Sequence, residues 1–547
     1  MSTPPRALAP GEVEAALKLL WPSTGAEPSL QSHDVQRWYR QGFELLPVDG
    51  AFPLGLVQGQ GGPCGVLAAV QAELLLQFLF EPPHRDALVS EYQGDLPQFV
   101  RSRVSGGEDH RYLLLVRAMA SLLKLVASSS DDIKMVIIDP NSASDLLSSH
   151  TYSEYVVSSA TSDPLRDDDP VVRLLATQID NFRGPHGVMN FTLSVIRTKS
   201  VDRIREEMDD QDASLTGQFG HCGQELLNLL LTGRAVSNVF DGDVPMGDTG
   251  LMLHGIHQRS RIGYLTQLEA LRYCQVGTYY KSPQYPVWVI GSSSHFSVGF
   301  ALDSSVCEES SSDRLFQRIQ RVFKSLDPME TGFMEMGVLT QSLQQLGVAR
   351  DILSNDYWMA RLLSRLEISE GAGIVLWDEY WKVVSVLLHT GDFELALSGN
   401  YESVSSEAQG ESRPRSDSDL ARELQAQFDA EQSGNAVSIP ATPALVSSNT
   451  SDRIQEEKII EFDWFYYNGL GSSSRSGDHE HSVSRQPQLA KCHIKLKVNG
   501  EYIGKSVPIA ESGKSGGHGS PPLEEIIKTK WTNAEVHWAS GQVPSVD

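Results

Sequence analysis

A cysteine stands at the junction between a glycine-rich loop and an apolar run that favours a helix. The loop reads Gln58-Gly-Gln-Gly-Gly-Pro-Cys64, and the run at Val66–Val70 contains only valine, leucine and alanine. Because proline is favoured in the first turn of a helix, we expect Cys64 at a helix N-terminus, where unpaired N–H groups and the macrodipole stabilise an anion. This setting favours the thiolate, which is the nucleophilic form of cysteine.

A general base and an oxyanion donor for this nucleophile are also present. His295 follows a predicted buried strand at Val287–Ile290 and a short turn, and it directly precedes a second alternating strand at 296–300. A histidine held at the start of a strand has the fixed position that a general base needs. Gln58 can donate its side-chain amide to the oxyanion formed when the thiolate attacks a carbonyl. This order of cysteine and histidine is that of papain-like cysteine hydrolases, although sequence does not show that the two side chains meet in space.

Two alternatives concern the cysteines. Cys64 could be a buried structural thiol, as free cysteines often are, although the Gly-Gly-Pro loop before it argues against this. Cys222, which follows His221, is a second candidate nucleophile. It is disfavoured because the side chains of adjacent residues rarely point at each other.

Composition limits the classes of function. The chain has 547 residues, enough for two or three domains, and its net charge of −25 argues against nucleic-acid binding. Its five cysteines include no CxxC pair, so we expect no metal site, no cofactor and no disulfide framework. Neither a signal peptide nor a membrane-spanning segment is recognised, and we therefore expect a cytoplasmic or nuclear protein that does not enter a membrane.

The pattern of apolar and polar residues along the chain predicts an α+β fold that is divided into four segments. A catalytic main part carries both candidate catalytic residues, but its serine- and aspartate-rich stretch 127–170 reads mostly as loop apart from a strand at Lys134–Ile138. A helical insertion and a flexible linker follow, and the strands after the linker are expected to complete the sheet of the main part. The predicted boundaries are 1–310 for the main part, 311–395 for the insertion, 396–455 for the linker and 456–547 for the C-terminal strands.

The insertion contains two loops that resemble EF-hand calcium loops. Their ligand sets are incomplete, because Met329, Val338 and Gly371 occupy positions where an oxygen ligand is needed. A hard cation requires six or more oxygen ligands. We therefore expect a paired helix-loop-helix scaffold that binds no calcium.

A short helix is predicted inside the linker, at residues 417–432. Four of its apolar residues fall on one narrow stripe, and most of the others are acids or amides. This pattern resembles the MIU class of ubiquitin-binding helices, although an isolated helix that binds nothing would share it. The stripe consists of Leu420, Ala421, Leu424 and Phe428.

Several separated blocks together resemble the MINDY family of deubiquitinases, in its branch with an EF-hand-like insert. Beside the loops around Cys64 and His295, the similar blocks are 229–243, 269–277, 466–470 and 529–531. The resemblance implies a papain-like catalytic domain that hydrolyses polyubiquitin, with preference for the lysine linkage that marks proteins for the proteasome. It implies that Cys64 is the nucleophile, His295 the base and Gln58 the oxyanion donor. Gln60 departs from the family, which commonly has a glutamate there, and the MIU-like helix is typical of another branch.

The resemblance names polyubiquitin and ubiquitinated proteins as partners, while the sequence does not indicate the oligomeric state. Two other functions share parts of this pattern. A non-catalytic ubiquitin-binding adaptor would keep the fold and the linker helix, but the intact Gln58, Cys64 and His295 argue against it. A papain-like acyl transferase, such as a transglutaminase, would use the same cysteine and histidine.

Overall fold

The computed structural model describes most of the chain and divides it into two compact units. The first unit comprises Met1–Thr331, Ile459–Lys497 and Ile509–Asp547, and the second comprises Gly332–Lys458 and Val498–Pro508. The linker helix and Gln60 lie outside the described residues. The described residues are 4–22, 32–59, 61–81, 85, 91–104, 108–127, 132–139, 151–158, 167–246, 249–327, 331–348, 350–368, 371–399, 459–469, 487–497, 503 and 520–546.

The chain contains both helices and strands, in agreement with the predicted α+β class. The strands in chain order are Arg6–Ala7 (β1), Asp132–Ile138 (β2), Tyr152–Ser158 (β3), Asp243–Pro245 (β4), Met252–His254 (β5), Gly263–Thr266 (β6), Val287–Gly291 (β7), Phe296–Ala301 (β8), Phe333–Glu335 (β9), Ile374–Leu376 (β10), Ile459–Tyr467 (β11), Leu489–Lys497 (β12) and Ala534–Trp538 (β13).

The α-helices are numbered in the same way. They are Pro10–Leu20 (α1), Ser32–Arg40 (α2), Cys64–Leu79 (α3), Leu96–Arg103 (α4), Glu108–Val126 (α5), Pro170–Thr177 (α6), Asp180–Arg183 (α7), Gly187–Lys199 (α8), Val201–Glu207 (α9), Gln224–Thr232 (α10), Gln267–Ala270 (α11), Thr278–Lys281 (α12), Ser311–Leu326 (α13), Leu339–Gln345 (α14), Arg350–Leu353 (α15), Asp356–Leu366 (α16), Trp377–Thr390 (α17), Phe393–Ser398 (α18) and Pro522–Lys530 (α19).

A six-stranded sheet forms the centre of the first unit, in the spatial order β13-β12-β11-β8-β7-β6. Strands β6 and β7 are parallel, and every other neighbouring pair is antiparallel. Strand β11 joins the two halves of the sheet, since Trp464 pairs with Ala301 of β8 and with Cys492 of β12. The three strands that follow the linker thus extend the same sheet as the strands on either side of His295.

The central strands are buried on both faces, and their alternate residues enter two separate cores. In β11, Phe465 and Tyr467 belong to the core on the α3 side. Trp464 and Tyr466 belong to the core on the opposite side, together with Leu523 of α19. Successive side chains of a strand point to opposite faces, so the sheet separates the two cores. Burial on both faces explains the continuous apolar run of β7, whose residues are all buried.

Helix α3 crosses the first of these faces and is the most deeply buried helix near the candidate nucleophile. It packs against β7, β8, α5 and α10, and all of its residues are buried. A helix that is apolar around its whole circumference belongs in a core. Its buried carboxylate, Glu73, is 3.1 Å from the guanidinium of Arg261 and accepts a hydrogen bond from Gln77 at 2.8 Å. Burial raises the pKa of Glu73, and the Arg261 charge opposes this effect.

Among the described residues of the stretch 127–170, which was expected to be mostly loop, the structure contains a second strand. Strand β2 begins two residues before the predicted Lys134, and it pairs along its whole length with β3, a strand that was not predicted. The two strands form a three-stranded sheet with β1, and α8 packs on β2. Polar side chains of α8 secure this contact, because Ser194 and Asn190 accept hydrogen bonds from the main-chain N–H groups of Val136 and Ile138. The pairing joins residues distant in sequence, so local composition does not reveal it.

The second unit contains α14–α18 and a short antiparallel ribbon of β9 and β10. The ribbon pairs Met334 with Val375, and both side chains are buried. Within the described part of the chain, no group of three or more histidine, cysteine, aspartate or glutamate residues is arranged to hold a metal ion.

Candidate active site

Cys64 is the first residue of α3, as the sequence predicts, with Pro63 at the N-cap position. Its side chain is buried, with 2% of its surface exposed. The thiol Sγ lies 3.8 Å from the carbonyl oxygen of Gly62. The backbone N–H groups of Cys64, Gly65 and Phe296 also face the sulfur.

Two opposing influences act on the thiol. Burial raises the pKa of Cys64 to about 11, and the three backbone N–H groups lower it by a smaller amount. From the sequence, the helix N-terminus is expected to stabilise the thiolate. The N–H groups are present as expected, but desolvation has the larger effect, because the charged form loses its hydration in the closed site. The thiol is therefore protonated at neutral pH in this structure.

The loop before Cys64 approaches its neighbours so closely that side chains are excluded. Gly62 has φ +110°, and a Cβ atom there would lie 2.8 Å from Nε1 of Trp38. At Gly65 a Cβ atom would lie 2.5 Å from the sulfur of Cys222. The glycines thus permit the close contact between the loop, α3 and the segment around Cys222.

His295 lies in the turn between β7 and β8, as the sequence predicts. Ser292 closes this turn, since its hydroxyl accepts a hydrogen bond from His295 N at 2.9 Å and its own N–H donates to His295 O at 2.9 Å. The side chain of Gln267 fixes the turn from outside by accepting a hydrogen bond from Ser293 N at 3.2 Å. The imidazole is buried, so its position is set by packing as well as by hydrogen bonds.

The carbonyl of Asn468 orients the histidine ring. His295 Nε2 lies 2.7 Å from Asn468 O, and a carbonyl oxygen can only accept a hydrogen bond. Nε2 therefore carries the proton of the neutral ring, and Nδ1 is the basic nitrogen. Sequence reasoning did not assign a role to Asn468, although it lies within the block 466–470 that contributes to the family resemblance.

The backbone of Gln58 lies beside Gly469, the residue that follows Asn468. The N–H of Gln58 donates to Gly469 O at 2.7 Å, next to the carbonyl that orients His295. Gln58, Phe296 and Asn468 line the same small cavity. The Gln58 segment and the His295 turn are therefore joined through the end of β11, which comes from the far end of the chain.

Three buried side chains hold the Gln58 segment in place. Gln71 of α3 accepts from Leu56 N at 2.6 Å and donates to Leu54 O at 3.1 Å. The hydroxyl of Tyr467 donates to Leu56 O at 2.9 Å. Gln41 donates to the carbonyl of Val57 at 3.1 Å and accepts from the N–H of Gly59 at 3.0 Å. Such paired buried backbone groups make the segment rigid.

The structure thus brings the three predicted residues into one region. Phe296 N–H faces the Cys64 sulfur, and Phe296 directly follows His295. Gln58 reaches the same region through Gly469 and the shared cavity. A thiol, an oriented imidazole and an amide donor in this arrangement can carry out nucleophilic attack on a carbonyl group.

Cys222 is a poor alternative nucleophile. It is buried, and desolvation raises its pKa well above the usual value, with a further contribution from Cys64. Its N–H donates to Gly62 O at 3.2 Å, the same carbonyl that the Cys64 thiol contacts. It therefore packs behind the candidate nucleophile.

None of the helices among the described residues is both long and apolar enough to cross a membrane. The predicted residues of the linker helix, Leu420, Ala421, Leu424 and Phe428, lie outside the described residues.

Comparisons with known proteins identify the family that the chain resembles. A family model for the conserved domain of deubiquitinating enzyme MINDY-3/4 matches residues 29–338, a range that contains Gln58, Cys64 and His295. The human ubiquitin carboxyl-terminal hydrolase MINDY-3 is 33% identical over 368 residues, covering 66% of this chain and 79% of that protein.

The human probable ubiquitin carboxyl-terminal hydrolase MINDY-4 is 35% identical over 286 residues, covering 51% of this chain and 36% of that protein. The bovine MINDY-3 protein is 32% identical over 372 residues. No solved structure matches the chain.

Proposed function

The chain belongs to the MINDY family of deubiquitinating enzymes, and on that premise we propose that it is a cysteine-type isopeptidase that hydrolyses polyubiquitin with Cys64 as nucleophile. The supporting observation is the joint position of the buried thiol, the Asn468-oriented imidazole of His295 and the Gln58 segment. The catalytic fold is proposed to be papain-like, in keeping with a nucleophile at a helix N-terminus and a base on a strand turn.

The proposed reaction begins with proton transfer from the Cys64 thiol to Nδ1 of His295. Asn468 O holds the Nε2 proton and stabilises the imidazolium that forms. The thiolate attacks the carbonyl carbon of the isopeptide bond at the ubiquitin C-terminus. The Gln58 side chain and the N–H of Cys64 donate to the resulting oxyanion. The imidazolium then protonates the departing lysine amine, and water hydrolyses the thioester.

The raised pKa of Cys64 fits a site that is activated by substrate. A substrate tail that reaches the site brings a carbonyl towards the thiol, and proton transfer to His295 followed by attack can then proceed. General-base catalysis of this kind does not require a thiolate in the resting enzyme.

Finer parts of the proposal rest on the family resemblance. They are a preference for the lysine linkage that marks proteins for the proteasome, ubiquitin binding by the predicted linker helix, an EF-hand-like helical insertion at 311–395, and action in the cytoplasm or nucleus. A panel of diubiquitins of defined linkage tests the first. Preferential cleavage of the proteasome-targeting linkage supports it, and equal cleavage of all linkages contradicts it.

A ubiquitin probe with a C-terminal electrophile tests the central proposal. We expect covalent labelling of the full chain at Cys64 and none of the Cys64→Ala variant, with the attachment site read by peptide mass spectrometry. Labelling at Cys222 would contradict the assignment of the nucleophile. The folded wild-type protein could bind ubiquitin but neither react with the probe nor cleave any polyubiquitin. That result would favour the adaptor function.

A further inference from the structure

One exposed aromatic residue beside the nucleophile loop adopts a strained backbone. Phe219 has φ 57° and ψ 19°, the left-handed region that costs free energy for a residue with a bulky side chain. Half of its surface is exposed, so burial of the ring does not compensate for the strain. Strain of this kind persists where surrounding contacts enforce it, and such positions cluster at functional sites.

The contacts that enforce this conformation act on the backbone. Arg37 donates to the carbonyl of Phe219 at 2.8 Å, and the same guanidinium is fixed by the buried Asp34 at 2.6 Å. Trp38 donates its indole N–H to the carbonyl of Gly220 at 2.8 Å. The ring itself meets His221 edge-on at 6.4 Å. Helix α2 thus holds the loop from behind, and the ring remains exposed.

This loop lies directly against the segment that precedes the nucleophile. Gly62 O accepts from Cys222 N at 3.2 Å and lies 3.8 Å from the Cys64 sulfur. Both proposed oxyanion donors, Gln58 and the N–H of Cys64, belong to the two ends of that segment. The acyl side of the substrate must therefore lie along it, close to the loop that presents Phe219.

We propose that Phe219 is a substrate-contact residue that packs its ring against the extended C-terminal tail of ubiquitin on the acyl side of the scissile bond, an inference that rests on the function proposed above. An aromatic ring offers a large, flat contact and loses little conformational entropy on binding, because it has only two side-chain torsions. The hydrogen bonds from Arg37 and Trp38 fix the backbone of this loop before the substrate arrives. Less conformational entropy is therefore lost on binding.

The experiment compares Phe219→Ala, Phe219→Gly and Phe219→Tyr with the wild type. The substrates are a ubiquitin C-terminal fluorogenic amide and a cleavable diubiquitin, and Tm is measured for each variant. We expect Phe219→Ala and Phe219→Gly to raise KM about tenfold on both substrates with kcat nearly unchanged, and Phe219→Tyr to retain the wild-type KM. Phe219→Gly should also raise Tm by about 1–3 °C, because glycine removes the strain.

Arg272→Gly is the matched control, since Arg272 is also exposed and has φ 64°. It should raise Tm in the same way without changing KM. An unchanged KM in the alanine and glycine variants would overturn the inference. So would a loss confined to diubiquitin, which would assign the ring to the acceptor side, or a fall in kcat that follows a fall in Tm.

A direct binding measurement separates this inference from the proposed function. Ubiquitin is titrated into Cys64→Ala and into Cys64→Ala combined with Phe219→Ala, each as the full chain. We expect Kd to rise about tenfold in the double variant. Equal Kd values would overturn the role of Phe219, even if the wild type cleaves ubiquitin substrates. Weaker binding by the double variant would support the role of Phe219, even if the wild type cleaves none of them.

Discussion

Cys64 and His295 come from opposite sides of the interface between α3 and the central sheet, and the proposed mechanism uses them as a pair. We expect Cys64→Ala and His295→Ala each to lower chain cleavage by at least about a thousandfold, because the loss of either member of a catalytic unit removes most of its effect. Cleavage is measured on polyubiquitin, and circular dichroism checks the fold.

Cys222→Ala is the matched control for these variants, since Cys222 is also a buried thiol near Gly65. It should retain turnover within about threefold, because its sulfur packs behind the site. Near-normal turnover by folded His295→Ala, or loss of turnover in Cys222→Ala alone, would contradict the assigned roles.

The protonated state of Cys64 has a measurable consequence. Burial raises its pKa to about 11, so the thiolate fraction of the resting enzyme should rise about tenfold for each pH unit between pH 7 and pH 9. Alkylation by iodoacetamide should rise with the same slope, because only the thiolate reacts. The rate is followed by mass spectrometry of the Cys64 peptide. A rate that is already constant near pH 7 would instead show a preformed thiolate–imidazolium pair.

At the scale of elements, Gln71 connects α3 to the segment that carries Gln58. Gln71→Ala would leave Leu56 N–H and Leu54 O without this partner in a buried setting, at a cost of about 2–4 kcal/mol. We expect a lower Tm and a kcat at least about tenfold lower, since the oxyanion donor loses its support. Both are measured well below the unfolding range.

Gln77→Ala provides the comparison on the same helix. Gln77 is buried as well, but its side chain bonds to Glu73 and does not reach the Gln58 segment. It should lower Tm and leave kcat within about twofold. Equal effects of the two variants on kcat would mean that Gln71 acts only through the general stability of α3.

The two EF-hand-like loops lead to a prediction about calcium. Met329, Val338 and Gly371 occupy positions where an oxygen ligand is needed, and a hard cation needs six or more oxygen ligands. Calcium should therefore change neither Tm nor the rate of chain cleavage, compared with the same measurements in a chelator. A saturable rise in Tm at sub-millimolar calcium would overturn this expectation.

At the scale of the whole molecule, the helix predicted at 417–432 precedes β11 in the sequence. Asn468, which contacts His295, directly follows β11. A weak ubiquitin-binding helix in the same protein would raise the effective concentration of a chain whose other ubiquitin occupies the catalytic site. Ala421→Gly combined with Leu424→Ala should therefore weaken cleavage of long chains and barely affect a mono-ubiquitin substrate.

The measurement compares kcat/KM on long chains, on diubiquitin and on a mono-ubiquitin amide. Substitution of Arg422 and Asp429 by alanine is the control, because at helical spacing these residues lie on the face opposite the apolar stripe of the predicted helix. Equal losses on short and long substrates would indicate that the helix belongs to the catalytic fold. No loss on any substrate would leave it as part of a linker.

The sequence alone was sufficient to predict structural features that depend only on neighbouring residues. The proline and apolar run fix the start of α3 at Cys64, and alternation with a polar turn fixes the hairpin that carries His295. Helix caps, turns and periodicity depend on contacts within a few residues, which a sequence displays directly.

Tertiary structure decided what depends on residues that are distant in the chain. Asn468 lies 173 positions after His295, yet its carbonyl selects the tautomer of the imidazole. The pKa of Cys64 follows from burial beneath the sheet, which outweighs the helix N-terminus that the sequence displays. The strain at Phe219 is imposed by Arg37 and Trp38 across a gap of 182 positions. Desolvation and long-range hydrogen bonds depend on which surfaces the folded chain brings together, and no local pattern of residues records this.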